Sequence, residues 1–181
     1  MKTIESVLHF WFVECSPRDW FKKDVDFDIR LAARFGTLVE QALSGGLEDW
    51  TQTADGCLAL ILVLDQFPRG MYRNTPKAFA GDTRGLSLSQ RCLERGHVAG
   101  CADPAKRHFM LIPMMHSENL NVQNQALPLF KQYTSNHTYN FALKHQQIIK
   151  KFGRFPHRNK ILGRLSTEEE LSFLKKPGSS F

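Results

Sequence analysis

The segment HQQIIKKFGRFPHRNKILGRLSTEEELSFL, residues 145–174, predicts the end of one helix, a turn and the start of another. Its apolar residues before Gly153 recur at helical spacing, and glycine is the residue that most often follows a helix. Pro156 then marks an irregular turn. Ser166 and Thr167 are each followed three residues later by a glutamate, which is typical of a capping box at a helix start. The segment therefore indicates a helical fold.

Similar patterns extend over the rest of the chain, and the alternation typical of strands is almost absent. The run CLALILVLDQF, residues 57–67, is compatible with a buried strand by composition, but its Leu/Ala content and helical surroundings favour a central helix. The other predicted helices cover residues 3–14, Asp26 to Leu43, Asp82 to Gly96, Asp103-Pro104 to Pro113, Ser117 to about Tyr133, 137–152 and 166 to Lys176-Pro177, and Pro68 is expected to end the central one. We expect an all-α fold of about eight or nine helices in a single domain, residues 1–181.

The composition is that of an ordinary globular protein, with 42% hydrophobic and 23% charged residues. No apolar run reaches the length of about 18 residues that a membrane-spanning helix needs, and the N-terminal MKTIESVLHFWF resembles a first helix more than a signal peptide. The four cysteines are scattered without a C-x-x-C pair, which favours reduced thiols over disulfides or a zinc site. We therefore expect a cytoplasmic protein without a membrane partner.

Positive charge is concentrated in one part of the chain. From Asn119 to Thr167 there are eight Lys or Arg and no Asp or Glu, whereas the rest of the chain holds sixteen Lys or Arg and eighteen acids. The formal net charge of +6 is therefore localised. Because localised positive charge attracts anions, this region predicts an anionic partner.

Four segments carry a resemblance to a known family: VLHFWF (7–12), LDQFPRGMYRNTPKAFAGD (64–82), PMMHSENL (113–120) and the segment 145–174 quoted above. They resemble the bacterial domain-of-unknown-function family number nine hundred and twenty-four. The resemblance runs over essentially the whole chain, including the closing PGSSF. It implies a TPR-like array of antiparallel helix pairs, but it implies no activity.

Two positions depart from the family pattern. The family usually reads QFPRN where this chain has Gly70, and HSED where this chain has Asn119. The second change removes a carboxylate beside Glu118, which weakens any site that requires paired acids there.

The basic segment offers groups that bind anions. They are Arg154, Arg158, Asn159 and Arg164. Arginine can hold a carboxylate or a phosphate through two parallel hydrogen bonds, and backbone N–H groups after Pro156 would add to such a site. An alternative interpretation is structural, in which the arginines brace the fold by pairing with Asp65, Asp82 or Glu118. The sequence leaves both interpretations open.

Candidate acid–base groups are His116, Glu118, His145 and His157. Imidazoles with a carboxylate are also the ligand set of zinc and other divalent ions, but the spacing differs from an H-E-x-x-H helix, which disfavours a metal. His145 lies four residues from both Phe141 and Ile149, so it faces the core side of its helix, where a histidine is usually structural. No cofactor is therefore assigned.

Asp65 and Arg69 are further candidate binding residues. Asp65 lies at the end of an apolar helix, where a carboxylate opposes the helix dipole, so a nearby cation must compensate for it. Arg69, Arg73 or the basic segment are the candidates. The aromatic clusters at 10–12 and 20–21 are interpreted as core rather than as a stacking surface.

These observations favour a pocket, lined by the FGRFPHRN segment (residues 152–159), that binds a small phosphate- or carboxylate-bearing ligand, with hydrolase or transferase activity left open. The alternative is a TPR-like module that binds an acidic peptide. Nucleic-acid binding is the third hypothesis, and it is disfavoured because few aromatic residues are left free to stack on bases. No P-loop, G-x-G-x-x-G or G-x-S-x-G motif is present.

Overall fold

The computed structural model of the protein describes residues 3–180, and every regular element in that range is helical. The helices are α1 (Ile4–His9), α2 (Val25–Leu43), α3 (Ala54–Ile61), α4 (Phe67–Met71), α5 (Asp82–Glu94), α6 (His97–Gly100), α7 (Pro104–Met115), α8 (Leu120–Tyr133), α9 (Asn136–Phe152) and α10 (Glu168–Leu174). Two π-helical turns, Phe10–Glu14 and Leu62–Gln66, extend α1 and join α3 to α4. Residues 3–180 thus form nine continuous helices, which confirms the predicted all-α class and helix number.

Three short 3₁₀ turns connect these helices: Glu48–Gln52, Pro76–Phe79 and Pro156–Arg158. Within the described range, no helix combines the length and the apolar character required to cross a membrane.

Several helix starts differ by about two residues from the prediction. The side chain of Asp24, not Asp26, accepts the backbone N–H of Phe27 and caps α2. Asn119, not Ser117, caps α8 by accepting the N–H groups of its first turn. For α10, the predicted capping box is present at Thr167, the second of the two alternatives. The errors arise because neighbouring Asp, Ser and Asn residues have similar capping ability, so local sequence does not choose between them.

Pro68 does not end the central helix as predicted, whereas α7 ends near Pro113, as expected, at Met115. The π turn Leu62–Gln66 carries the chain through Pro68 into α4, with the N–H of Phe67 bonded to the Leu62 carbonyl. A widened turn accommodates the missing N–H and the ring of a proline better than a regular α-helix does. In α7 the helix continues for two residues beyond Pro113, where Met114 and Met115 are both buried.

The central helix α3 and its π turn form the middle of the core. Residues 57–64 have exposed fractions of 0%, which explains why their sequence shows no amphipathic period. Helices α1, α5 and α7 pack around α3, while α2 packs against α4. The rings of Phe10 and Trp11 are buried in this core, in agreement with the interpretation of the 10–12 cluster.

The C-terminal part returns the basic segment to the core. Helix α8 packs against α7 and α9, and α9 ends at Gly153, whose φ of 70° is left-handed and favours glycine. A smaller apolar cluster of Ile148, Ile149 and Phe155 anchors the following turn. Phe141 is expected on the core side of α9 with His145 and Ile149, but 38% of its surface is exposed.

Candidate functional site

A cavity of about 710 Å³ lies among these helices, a volume that suits a small organic ligand. Its lining comes from several parts of the chain, including the π turn after α1, the segment before α2 and the start of α2, the π turn with α4, the turn Pro76–Phe79, helix α7, and α9 with the turn that follows it. Polar side chains on its wall include Gln66, Arg69, His108, His116, His145, His157 and Arg158. Sequence-predicted candidates from three distant parts of the chain therefore meet at one cavity.

Aromatic rings provide much of the remaining wall. Trp11, Trp20 and Phe21 line it from the N-terminal part of the chain, and Phe79 and Phe155 lie beside the basic residues. Phe21 keeps 63% of its surface exposed. Such a wall can contact a flat or apolar ligand body while the polar groups bind one end of it.

A close backbone approach positions the acidic residues of the site. A Cβ atom on Gly81 would lie 2.1 Å from the carbonyl oxygen of Leu64, so only glycine lets the start of α5 contact the π turn. This contact brings Asp82, the first residue of α5, to Arg69 on α4. Asp65 belongs to the same π turn, and such irregularities recur at functional sites.

Asp65 is completely buried. Its carboxylate accepts hydrogen bonds from Gln66 Nε2 at 2.6 Å and Arg69 Nη2 at 3.0 Å, and its two oxygens lie 2.9 and 3.0 Å from His116 Nδ1. Burial alone would raise the pKa of this carboxyl group, but the contacts with Arg69 and His116 hold it well below its usual range. Asp65 is therefore an anion at neutral pH, and Arg69 is the nearby cation that the sequence required.

Arg69 also joins Asp65 to Asp82. Its Nη2 donates to Asp82 at 2.7 Å, and Arg158 Nη1 donates to the other oxygen of Asp82 at 3.1 Å. Burial raises the pKa of Asp82 and the nearby Asp65 charge adds to the effect, against the attraction of the two arginines. Two arginines thus compensate two carboxylates, and no uncompensated acid remains in this group to repel an anionic ligand.

Arg158 is held rigidly at the cavity wall. Its guanidinium carbon lies 4.6 Å from the ring centroid of Phe79 and 4.7 Å from that of Phe155. Its Nη2 donates to the His116 carbonyl at 3.1 Å. Burial and the nearby Arg69 charge lower the pKa of Arg158 to about 10, so that it stays charged at neutral pH.

Several nitrogens of cavity-lining residues lack a hydrogen-bond partner within residues 3–180. Four of these atoms are buried: Trp11 Nε1, Arg69 Nε, His108 Nε2 and Arg158 Nε. In addition, Arg69 Nη1 makes no hydrogen bond in the described part of the chain and is not buried. Of these nitrogens, Arg69 Nη1 is the charged donor that is left accessible for an acceptor in the cavity.

Three cavity-lining histidines are neutral at physiological pH. Burial lowers the pKa of His108 to about 4, of His145 to about 3 and of His157 to about 4. His145 donates from Nδ1 to the Phe141 carbonyl at 2.8 Å, which fixes its tautomer. These histidines therefore add no positive charge to the cavity.

Four residues predicted from the sequence bond to other residues of the fold and do not line the large cavity: Glu118, Arg154, Asn159 and Arg164. Arg154 pairs with the buried Glu170, donating from Nε at 2.7 Å and from Nη2 at 2.8 Å. Arg164 forms a two-bond pair with Glu118 at 2.7 and 2.9 Å and also bonds Asn159. These contacts agree with the structural interpretation for this half of the basic segment. That these residues bind a ligand stays a prediction.

The four candidate metal ligands, His116, Glu118, His145 and His157, do not converge on one point. Glu118 faces Arg164, while the ring centroids of His116 and His145 are 6.3 Å apart. Across residues 3–180, no cluster of three or more His, Cys, Asp or Glu has the arrangement to hold a metal ion.

Sequence reasoning missed His108, although a signal was present. His108 and Ile112 on α7 and His116 at its C-cap are spaced four residues apart, and all three line the cavity. It also missed Phe79 as a stacking partner, because the contact depends on a turn 79 residues before Arg158 in the chain.

Comparisons with known proteins agree with this architecture. The family model described as "Bacterial protein of unknown function (DUF924)" matches residues 7–178. The chain belongs to this family. DUF924 is the family that the sequence motifs resemble, and that identification is confirmed.

One solved structure of a protein of unknown function, ATU0120 from Agrobacterium tumefaciens, is similar to this DUF924 chain with a TM-score of 0.89. The two are 34% identical, and the match covers 95% of this chain and 96% of that one. No curated protein matches the chain.

Proposed function

We propose that this DUF924 protein binds a small carboxylate- or phosphate-bearing molecule in the 710 Å³ cavity. The observation that carries the proposal is a charged donor on the cavity wall. Arg69 Nη1 is not buried and makes no hydrogen bond within residues 3–180, and the guanidinium of Arg158 lines the same cavity. An anionic oxygen is the acceptor that charged donors of this kind bind most strongly.

The walls indicate the rest of the ligand. Trp11, Trp20 and Phe21 line the same cavity as the two arginines, so a ligand with a flat or apolar body gains contact area as well as charge pairing. Benzoate, 4-hydroxybenzoate and phenyl phosphate are suitable probes, because each combines one ring with one anionic group.

A pair of variants tests the proposal by calorimetric titration with these probes. Arg158→Gln removes a cavity charge, whereas Arg154→Gln removes the same charge from the same segment but away from the cavity. We expect one saturable site that Arg158→Gln weakens at least tenfold and that Arg154→Gln retains. Equal affinities for both variants, or no binding of any probe to the wild type, would contradict the proposal.

A further inference from the structure

We infer that His116, positioned by Asp65, acts as a catalytic base that activates water to hydrolyse a carboxylic ester of the bound anion. The inference rests on the proposed function, because the anionic group must first be held in the cavity. It adds a reaction and the class of substrate, an ester that carries a second, anionic group.

The first step of the argument is the tautomer of His116. Asp65 is ionised and can only accept hydrogen bonds, and both of its oxygens lie within 3.0 Å of His116 Nδ1. The proton of the neutral ring therefore lies on Nδ1. Arg69 Nη2, 3.1 Å from the same nitrogen, is then a close neighbour and not a donor to it.

The second step is access to the opposite nitrogen. His116 Nε2 has no hydrogen-bond partner within residues 3–180 and is not among the buried unpaired atoms. The side chain keeps 15% of its surface exposed although it lies deep in the fold. It borders both the large cavity and a smaller one of about 190 Å³. Nε2 is thus an accessible acceptor held in a fixed orientation.

The third step is rigid support. Gln66 and Arg69 each donate one hydrogen bond to the carboxylate of Asp65, and the His116 backbone carbonyl accepts from Arg158. A histidine that served only to brace the core would have both nitrogens enclosed, whereas here one is enclosed and the other is accessible. The arrangement of carboxylate, imidazole and accessible nitrogen is the one by which enzymes orient a general base.

The reaction balances without another reagent. His116 Nε2 takes one proton from water, and the oxygen of that water bonds to the ester carbonyl carbon. The resulting oxyanion collapses and the bond from carbon to the alcohol oxygen breaks. That oxygen leaves with the proton returned by the His116 imidazolium, and the acid product releases its remaining proton to solvent.

The charge environment sets the pH range. Burial and the charge of Arg69 lower the pKa of His116, while Asp65 opposes them. The titratable and charged groups around His116 are Asp65, Arg69, Asp82, His108, His145, His157 and Arg158. We therefore expect hydrolysis to keep its plateau rate below the ordinary histidine pKa of about 6.5 and to fall at lower pH.

The test uses 4-acetoxybenzoate, an aryl ester with a separate carboxylate, and follows the release of 4-hydroxybenzoate. We expect His116→Gln to lower kcat by about 100-fold or more while 4-hydroxybenzoate still binds. Asp65→Asn should also lower kcat and move the pH profile, because its amide would favour the wrong tautomer. His9→Gln, which changes an exposed histidine elsewhere, is the control and should leave the rate unchanged.

The outcomes separate the two proposals. Binding of 4-hydroxybenzoate without hydrolysis, or hydrolysis unaffected by His116→Gln, would overturn the catalytic role and leave the binding site standing. Failure of the wild type to bind any probe would instead overturn the binding site. A substrate-independent check is the ¹⁵N NMR spectrum of the His116 ring at pH 7, where we expect a proton on Nδ1. A proton on Nε2 would overturn the inference even if the variants failed to fold.

Discussion

Arg158 Nη1 donates to Asp82 Oδ2 at 3.1 Å and joins residues 76 positions apart in the chain. This bond ties the turn after α9 to the first residue of α5, and so fixes Arg158, which lines the cavity, against the core. Arg69, which shares Asp82, connects the same carboxylate to the buried Asp65. The stability of the fold and the geometry of the site therefore depend on the same few charges.

The first prediction concerns this bond. Arg158→Gln should lower the free energy of unfolding by about 1–3 kcal/mol, because a charged hydrogen bond in a largely buried place is lost. In a double-mutant cycle with Asp82→Asn, we expect a coupling energy of about 1 kcal/mol or more by urea unfolding. A coupling energy indistinguishable from zero would show that the bond contributes nothing to stability.

The second prediction separates bracing from binding in the basic segment. Arg154→Gln removes the partner of Glu170, whose side chain is almost completely buried, and should therefore lower the free energy of unfolding measured by urea titration. The same variant should keep its affinity for benzoate, because Arg154 does not line the cavity. Loss of binding in a folded Arg154→Gln protein would assign this arginine to the site after all.

The third prediction is a dependence of stability on pH. His108, His145 and His157 have pKa values lowered to about 4, 3 and 4, whereas in the unfolded chain they titrate near 6.5. Below pH 6.5 the unfolded state therefore binds more protons than the native state, and stability should fall as the pH falls from about 6.5 towards 4.

Urea unfolding at a series of pH values measures this slope. The variant His145→Gln should make it shallower, because one of the three depressed groups is removed. An unchanged slope in that variant would mean that His145 is not held neutral by burial, contrary to its position in the structure.

The fourth prediction tests the aromatic wall. Phe21→Ala should leave the free energy of unfolding nearly unchanged, since the ring is mostly exposed, but should weaken the binding of 4-hydroxybenzoate roughly 2- to 10-fold. Val25→Ala, an exposed apolar residue that does not line the cavity, is the matched control. Equal affinities for the two variants would remove Phe21 from the ligand contacts.

Much of the fold follows from local sequence. Amphipathic spacing, the glycine after α9 and the capping box at Thr167 predict helices in their correct order. The ends were harder to predict because burial overrides local preference. Met114 and Met115 extend α7 beyond a proline, and the π turn absorbs Pro68.

The site was only half predictable, for a different reason. The sequence indicated that arginines must meet acids, but not which ones, because the partners lie far apart along the chain. Arg164 bonds Glu118 across 46 residues, whereas Arg154 bonds Glu170 across 16. For Glu170 the sequence predicts only a capping role. The pairing of Arg154 with Glu170 depends on the packing of α10 against the turn at Pro156–Arg158, which local sequence does not determine.

The most direct test of the central claim is isothermal titration of the wild type and of Arg158→Gln with 4-hydroxybenzoate and phenyl phosphate. We predict one saturable site per chain in the wild type, weakened at least tenfold by Arg158→Gln and weakened by added salt. Absence of saturable binding to the folded wild type, or affinity unchanged by Arg158→Gln, would contradict the claim that this cavity binds anions.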